Sequence, residues 1–203
     1  RPGRARYAPP VFITFLSDFG PKDDFVGTCH GVMKRIAPDA QIIDITHGIP
    51  ATAVLQGALI LANTIVYMPV GVHLAVVDPG VGGPRRALAL RDQAERLYVG
   101  PDNGLLLPAA RRAGIDAAHE LANPEYALDS ISRTFHGRDL FSPAAAHLAT
   151  GVDLADLGPP LDPESLVSLD LPEPFVADGV LHATLLYVDS FGNIALNLTR
   201  DDV

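Results

Sequence analysis

The sequence predicts an α/β protein. An N-terminal domain with a largely parallel sheet flanked by helices (residues 11–157) is followed by a Pro-rich linker (158–174). The first strands of an incomplete C-terminal all-β domain (175–203) then close the chain. Three observations carry this reading. Short, nearly continuous apolar runs alternate with segments of helical spacing, the pattern of a parallel sheet covered on both faces. Each apolar run stops at a polar loop rich in glycine or proline. Beyond residue 157, Pro159, Pro160, Pro163, Pro172 and Pro174 break the alternation, and only strand-like runs come after them.

The elements follow in order. Val11 to Leu16 is an apolar run that ends at Ser17-Asp18-Phe19-Gly20-Pro21. From Asp23 to Ile36 the apolar spacing predicts a helix, with Asp23 and Asp24 in a first turn whose dipole favours acids, and Pro38 stops it. Gln41 to Ile45 reads as a second buried strand, closing at Thr46-His47-Gly48. A long apolar helix from Thr52 to Tyr67 follows, and a strand over 73–78 runs into Asp78-Pro79-Gly80-Val81-Gly82-Gly83-Pro84-Arg85-Arg86. Two short strands, 87–91 and 96–99, are joined by a turn, and Gly100-Pro101-Asp102-Asn103-Gly104 leads to a helix over 107–113. A loop-rich passage then reaches Thr134-Phe135-His136-Gly137-Arg138-Asp139, where Asp139 is expected to cap a helix over 140–149. Near the end, strands over 179–188 and 193–198 flank Asp189-Ser190-Phe191-Gly192. Two strands do not make a stable sheet unaided, so they are expected to belong to a shortened β domain or to pair elsewhere. Residues 1–10 have no apolar signal core and read as a trimmed or irregular leader.

Composition narrows the classes. With 48% hydrophobic and 19% charged residues the 203-residue chain has ample material for a core. A net charge of −9 argues against a general nucleic-acid binder. Cys29 is the lone cysteine, which excludes an intrachain disulfide and a cysteine-rich metal site. No apolar run approaches the roughly 20 residues that span a bilayer. A cytoplasmic enzyme is the expectation.

Loops at the carboxyl ends of parallel strands converge on one edge of the sheet, where open α/β folds bind ligands. The polar groups expected there are Asp18, His47, Asp78 with Arg85, Asp102 with Asn103, and His136 with Arg138. Each has a plainer reading. Asp18 suits a turn or helix cap, His47 a local hydrogen bond, and Asp102-Asn103-Gly104 a common turn. Asp78 and the glycines after it suit a charged turn in water. A loop histidine beside Arg138 and Asp139 serves packing less readily, which favours function there. No G-x-S-x-G elbow, Walker loop or H-E-x-x-H is present. Gly80-Val81-Gly82-Gly83 falls short of a dinucleotide fingerprint, because Pro84 and a strand stand where a helix should begin. Asp18, Asp23 and Asp24 could hold a divalent cation, the basis of an alternative reading as a metal-dependent phosphohydrolase.

Six stretches together resemble the S-adenosyl-L-methionine (SAM) hydroxide adenosyltransferases, the water-using relatives of SAM fluorinases and chlorinases. They are Phe15-Leu16-Ser17-Asp18-Phe19-Gly20, Asp44-Ile45-Thr46-His47, Val77-Asp78-Pro79-Gly80-Val81-Gly82, Pro101-Asp102-Asn103-Gly104-Leu105-Leu106, Phe135-His136-Gly137-Arg138-Asp139 and Asp189-Ser190-Phe191-Gly192-Asn193. Each is weak alone, but all six occur in order between about residues 11 and 200.

The resemblance implies that Asp78, Arg85 and His136 handle an attacking water. The halogenating relatives carry Tyr at the place of Asp78 and Tyr-Ser at that of His136 and Gly137, which favours the water-using branch. It implies Asp18 at the ribose hydroxyls, Phe191 and Asn193 beside adenine, and Asp189 at the methionine ammonium. Asp102, Asn103 and Phe135 are further substrate-binding candidates, and Thr52 is matched to a pocket-lining Trp of the fluorinase. Homotrimers with sites at subunit interfaces are implied too. The resemblance also implies SAM as the substrate and adenosine and L-methionine as the products, with no cofactor or metal. A non-catalytic SAM- or nucleoside-binding protein is the remaining alternative. The chemistry agrees: methionine leaves from a sulfonium as a neutral thioether, so the leaving group needs no acid. The difficulty lies in a weak, hydrated nucleophile, which an acid, a guanidinium and an imidazole can orient and relieve of its proton.

Overall fold

A computed structural model describes residues 11–199. The chain divides into two compact units, the first ending at Val167 and the second beginning at Ser168.

The first unit is built on six strands. In chain order these are β1 (Phe12–Ser17), β2 (Gln41–Thr46), β3 (Val72–Val76), β4 (Ala87–Asp92), β5 (Leu97–Pro101) and β6 (Ile115–Glu120). Their order across the sheet is β2-β1-β3-β5-β4-β6. β1 pairs parallel with β2 and β3, and β3 pairs parallel with β5, whereas β4 runs antiparallel to both β5 and β6. Helix α1 (Phe25–Ile36) connects β1 to β2, and α2 (Val54–Thr64), extended by a short 3-10 turn over Ile65–Tyr67, connects β2 to β3. Because β2 and β3 lie on opposite sides of β1, right-handed crossovers put α1 and α2 on opposite faces. Alternating side chains of the strands therefore enter two cores. Ile13, Phe15, Leu74 and Val76 pack with Cys29 and Met33 of α1 and with Ala144, Ala145 and Leu148 of α4 (Ser142–Ala149). On the other face, Gly57 of α2 lies close to Val77 and to Leu105, just before α3 (Leu107–Ala110).

Several sequence expectations are corrected. α1 begins at Phe25, so Asp23 and Asp24 precede its first turn, and the Asp24 carboxylate accepts from the Thr28 hydroxyl at 3.3 Å. The passage after α3 holds a strand, β6, that its weak apolar pattern (Ile115-Asp116-Ala117-Ala118-His119-Glu120) hid. Asp139 does not cap α4. It sits fully buried within a π-helical turn over Gly137–Phe141 that runs directly into α4. The Pro-rich passage is not uniform either. Pro159 and Leu161 exchange backbone hydrogen bonds with Glu120 and Ala118 of β6, and Leu166 is buried, so this part belongs to the first unit.

The second unit consists of two antiparallel hairpins, β7 (Phe175–Ala177) with β8 (Val180–His182), and β9 (Leu185–Val188) with β10 (Ile194–Leu196). A single long strand over 179–188 is thus replaced by two short ones. Residues 1–10 and 200–203, including the expected leader, lie outside the described residues.

Candidate active site

Topology decides what meets. Strands β1, β2, β3 and β5 are parallel, so Ser17-Asp18, His47, Asp78 and Asp102-Asn103 all emerge at one edge. β4 is antiparallel, so its beginning, where Arg85 and Arg86 stand, lies at that same edge. Ser17 pairs with Val76 in register, and the Asp18 amide donates to the Val76 carbonyl at 3.3 Å.

Between β3 and β4 the chain makes a tight turn, with Val81 N–H donating to the Asp78 carbonyl and Gly83 N–H to that of Gly80. The turn carries Arg85 back over Asp78. Arg85 Nε donates to both carboxylate oxygens at 3.0 and 3.1 Å, and Nη2 donates to Oδ2. The same Nη2 lies 2.7 Å from Nδ1 of His136. A guanidinium has no lone pair to offer, so Nδ1 must be the acceptor and the neutral ring carries its proton on Nε2. Both ends of the ion pair are largely out of water, with the Asp78 side chain 5% and the Arg85 side chain 11% exposed. The Arg85 guanidinium also stacks 5.1 Å from the ring of buried Phe141. Burial, and then the positive charge of Arg85, push His136 below the ordinary histidine pKa. The neutral imidazole is therefore the resting form.

Gly82 explains how the two loops come so close. Its φ is 73°, and a Cβ there would lie 2.2 Å from the Arg133 carbonyl oxygen. The glycine-rich turn thus rests directly on the backbone leading to His136. That backbone is fixed by Asp139, whose carboxylate accepts from the Ser132 amide and from Arg138. Burial raises the Asp139 pKa, but the bonds from Arg138 and Ser132 outweigh it and hold the carboxyl below its ordinary range. Arg138, expected beside His136 in the chemistry, is instead committed to Asp139 and to the face of Phe135, 5.0 Å away.

Asp18, Asp78, His136, Phe135, Phe19, Val76, Val81, Thr134 and Gly137 line a cleft of about 60 Å³. Phe135 and Phe19 form its aromatic wall, the rings meeting edge to face, and Phe25 packs edge to face against Phe135. Asp18 Oδ2 accepts from the Thr52 backbone N–H at 3.0 Å, and Thr52 itself is held at φ 66°. Thr52 thus meets Asp18 through its main chain, and its side chain is not among the cleft's lining.

Other candidates are placed differently. Asp102 is turned into the protein: Arg86 Nε donates to its Oδ2 at 2.7 Å and Val167 N–H to its Oδ1 at 2.9 Å. Arg86, for which the sequence suggested no role, also donates to Ser165 Oγ and to the Ser165 carbonyl. Asn103 donates to the Val77 carbonyl at 2.8 Å, immediately before Asp78, and accepts from Leu105 N–H. Asn103 thus braces the strand end that presents Asp78, while Asp102 ties the start of β4 to the end of β5 through Arg86. In the second unit, Asp189 accepts from the amides of Phe191 and Asn193 and from Asn193 Nδ2, and these bonds, those of Asn193 foremost, lower its pKa. Phe191 there is 90% exposed. Asp18, Asp23 and Asp24 do not converge as a ligand set among the described residues. The side chains that do are His30, Asp44 and His47. The signal for them was the Asp44-Ile45-Thr46-His47 run, but the partner on α1 could not be read from spacing.

An acid, a guanidinium and a neutral imidazole joined in a small cleft can order a water molecule and take up its proton. The class this defines is an enzyme of polar substitution or hydrolysis at the carboxyl edge of an α/β sheet. Residues 13–158 match the family model for the SAM hydroxide adenosyltransferase N-terminal domain. The chain is 52% identical over 196 residues to the (R)-S-adenosyl-L-methionine hydrolase of Salinispora arenicola, a match covering 95% of this chain and 74% of that protein. It is 30% identical over 216 residues to a fluorinase of an Actinoplanes species, covering 94% and 72%. The crystal structure of an uncharacterized conserved protein from Thermotoga maritima has a TM-score of 0.86 at 38% identity, covering 93% of this chain and 72% of that one. The chain belongs to the SAM hydroxide adenosyltransferase family.

Proposed function

We propose that this chain is a SAM hydrolase in which water attacks the ribose C5′ and expels L-methionine, leaving adenosine. The observation that carries the reading is the single guanidinium of Arg85 engaging both Asp78 and His136 beside the cleft. In the proposed reaction Asp78 and His136 Nε2 orient the water and accept its proton, while Arg85 stabilises growing hydroxide character. The new C5′–O bond forms as the C5′–S bond breaks, and the electron pair goes to sulfur, discharging the sulfonium. Aligning water, carbon and sulfur contributes up to about 7–11 kcal/mol in model reactions. Asp18 is assigned to the ribose diol, for which its two oxygens are suited acceptors, with Phe135 packing beside it. Asp189 is assigned to the methionine ammonium, and Phe191 and Asn193 to adenine. Asp102, Asn103 and Thr52 support this site through the contacts described rather than by touching the reacting atoms.

A cleft of about 60 Å³ holds a reacting centre but not a molecule of SAM's size, since sites for such ligands run to about 300 Å³ or more. We therefore assign the rest of the substrate site to the interfaces of a cytoplasmic homotrimer, to be checked by light scattering. No metal or cofactor takes part in the proposed reaction. The test is incubation with SAM in ¹⁸O-labelled water. Equal amounts of adenosine and methionine, with label in the adenosine 5′-oxygen, are expected. Absence of both products would leave a binding protein, and turnover that persists in excess chelator would rule out the metal-dependent alternative.

Among the described residues no helix is long and apolar enough to cross a membrane.

A further inference from the structure

His30, Asp44 and His47 form a cluster that neither lines the cleft nor contributes to the proposed reaction. We propose that these three side chains are a binding site for one divalent transition-metal ion of the zinc type, bracing α1 against the end of β2. The proposal does not depend on the activity assigned above.

The geometry begins in the strand. Phe15 pairs with Asp44 but Leu16 pairs with Thr46, so Ile45 is an extra residue that breaks the two-residue alternation. Such irregularities re-aim side chains at strand ends, and here Asp44 and His47 come to the same side. His30, on α1, faces them. Its Nε2 lies 2.9 Å from Asp44 Oδ1, and His47 Nε2 lies 3.0 Å from the same oxygen. The ring of Phe15 supports both imidazoles from below, at 4.7 Å from His47 and 6.0 Å from His30. One ligand atom from each residue falls within 4.8 Å of the others. In a tetrahedral zinc site, bonds of about 2.0–2.2 Å set the ligand atoms roughly 3.3 Å apart. The two His–Asp distances need to open by only a few tenths of an ångström, and the two imidazoles, whose ligand atoms lie within 4.8 Å of each other, need to close by no more than about 1.5 Å.

The state of His47 points the same way. Its Nδ1 is 2.7 Å from Ser17 Oγ. With that proton donated to the hydroxyl, Nε2 presents a lone pair. This Nε2 is buried and, despite its nearness to Asp44, has no hydrogen-bond partner among the described residues. A histidine ligand whose second nitrogen is fixed by a neighbouring acceptor is the usual arrangement around a bound metal. Two imidazoles and one carboxylate suit zinc, cobalt or nickel, whereas magnesium and calcium prefer all-oxygen sets. Three protein ligands leave a fourth position for water, consistent with side chains of His30 and Asp44 that are 32% and 41% exposed.

The experiment uses the full chain, stripped with chelator and titrated with zinc, and in parallel with cobalt(II). One equivalent of zinc is expected to bind saturably and raise the melting temperature. Cobalt is expected to give the strong visible absorption of a four-coordinate site. Both effects should disappear in His30→Ala and in Asp44→Asn, substitutions at partly exposed positions. Absence of stoichiometric binding would overturn the proposal. So would zinc binding or cobalt absorption that survives undiminished in either variant, because the substituted residue would then not be a ligand.

Discussion

Arg85 meets Asp78 through Nε, which donates to both carboxylate oxygens at 3.0 and 3.1 Å in a setting almost closed to water. Each partner fixes the other's position, and the same guanidinium reaches His136. Asp78→Asn keeps the shape and removes the charge. It is expected to lower kcat by about 10²–10⁴-fold, the range of a lost acid–base group, with SAM affinity changed only a few-fold. Arg85→Lys is expected to fare little better, since an ammonium cannot reproduce the planar fork. Single-turnover kinetics beside calorimetric SAM binding separates the two quantities. Adenosine release undiminished in both variants would remove these residues from the chemistry.

The pH dependence follows from His136. Burial and the Arg85 charge lower its pKa, so the neutral, proton-accepting ring persists below the ordinary value of about 6.5. Protonation would face the Arg85 Nη2 donor with a second cation. The acid limb of kcat/KM is therefore expected to lie below pH 6.5, and His136→Asn is expected to abolish that limb while lowering the plateau. A limb at or above pH 6.5 in the wild-type chain would contradict the assignment.

Much of this arrangement was legible in the sequence because apolar runs ending in acids mark buried strands delivering polar groups to one edge. Asp18 and Asp78 were found that way, Arg85 by its position after the glycines, and His136 as a loop histidine beside Arg138 and Asp139 that packing does not readily explain. What stayed hidden depends on tertiary pairing. β6 carries Asp116, His119 and Glu120 among small residues, so neither apolar run nor strict alternation announces it. Arg86 and Asp102 are sixteen residues apart, and only the antiparallel pairing of β4 with β5 makes them partners. Asp139 resembles a helix cap in sequence. The π-helical turn buries it instead, where it organises the loop that holds His136.

Gly82 tests whether close backbone approach assembles the site. Alanine there meets both an unfavourable φ and the Arg133 carbonyl at 2.2 Å. Gly82→Ala is expected to cost about 1–3 kcal/mol of stability and to lower kcat further by separating Arg85 from His136. Gly151 is the control: its φ is 95°, but nothing lies within 4 Å of an added Cβ. Gly151→Ala should show strain without loss of turnover. Denaturant unfolding and kinetics of the two variants check this, and equal kcat values would refute the role given to the contact.

A contribution to acid stability comes from a histidine that does not line the cleft. His73 on β3 is fully buried, with Nδ1 2.9 Å from Thr14 Oγ1 and its ring 5.3 Å from that of Tyr98. Burial, and then the charge of Arg96, push its pKa down to about 4, against a smaller opposing effect of Asp92. The folded protein thus binds a proton less readily than the unfolded chain, whose histidine titrates near 6.5. Between those values the unfolded state holds more protons, so stability must rise with pH across that window. The contribution is fully present above pH 6.5, falls as pH drops towards 4, and changes little below. Across the window it amounts to about 3 kcal/mol, because each tenfold loss of proton affinity on folding is worth about 1.4 kcal/mol. His136 and His147, also lowered chiefly by burial, add in the same direction. His73→Gln, which cannot titrate, is expected to flatten the slope of unfolding free energy between pH 4 and 6.5 while the other histidines keep theirs. Urea unfolding at half-unit pH steps measures that slope, and an unchanged slope would show that His73 is not the group responsible.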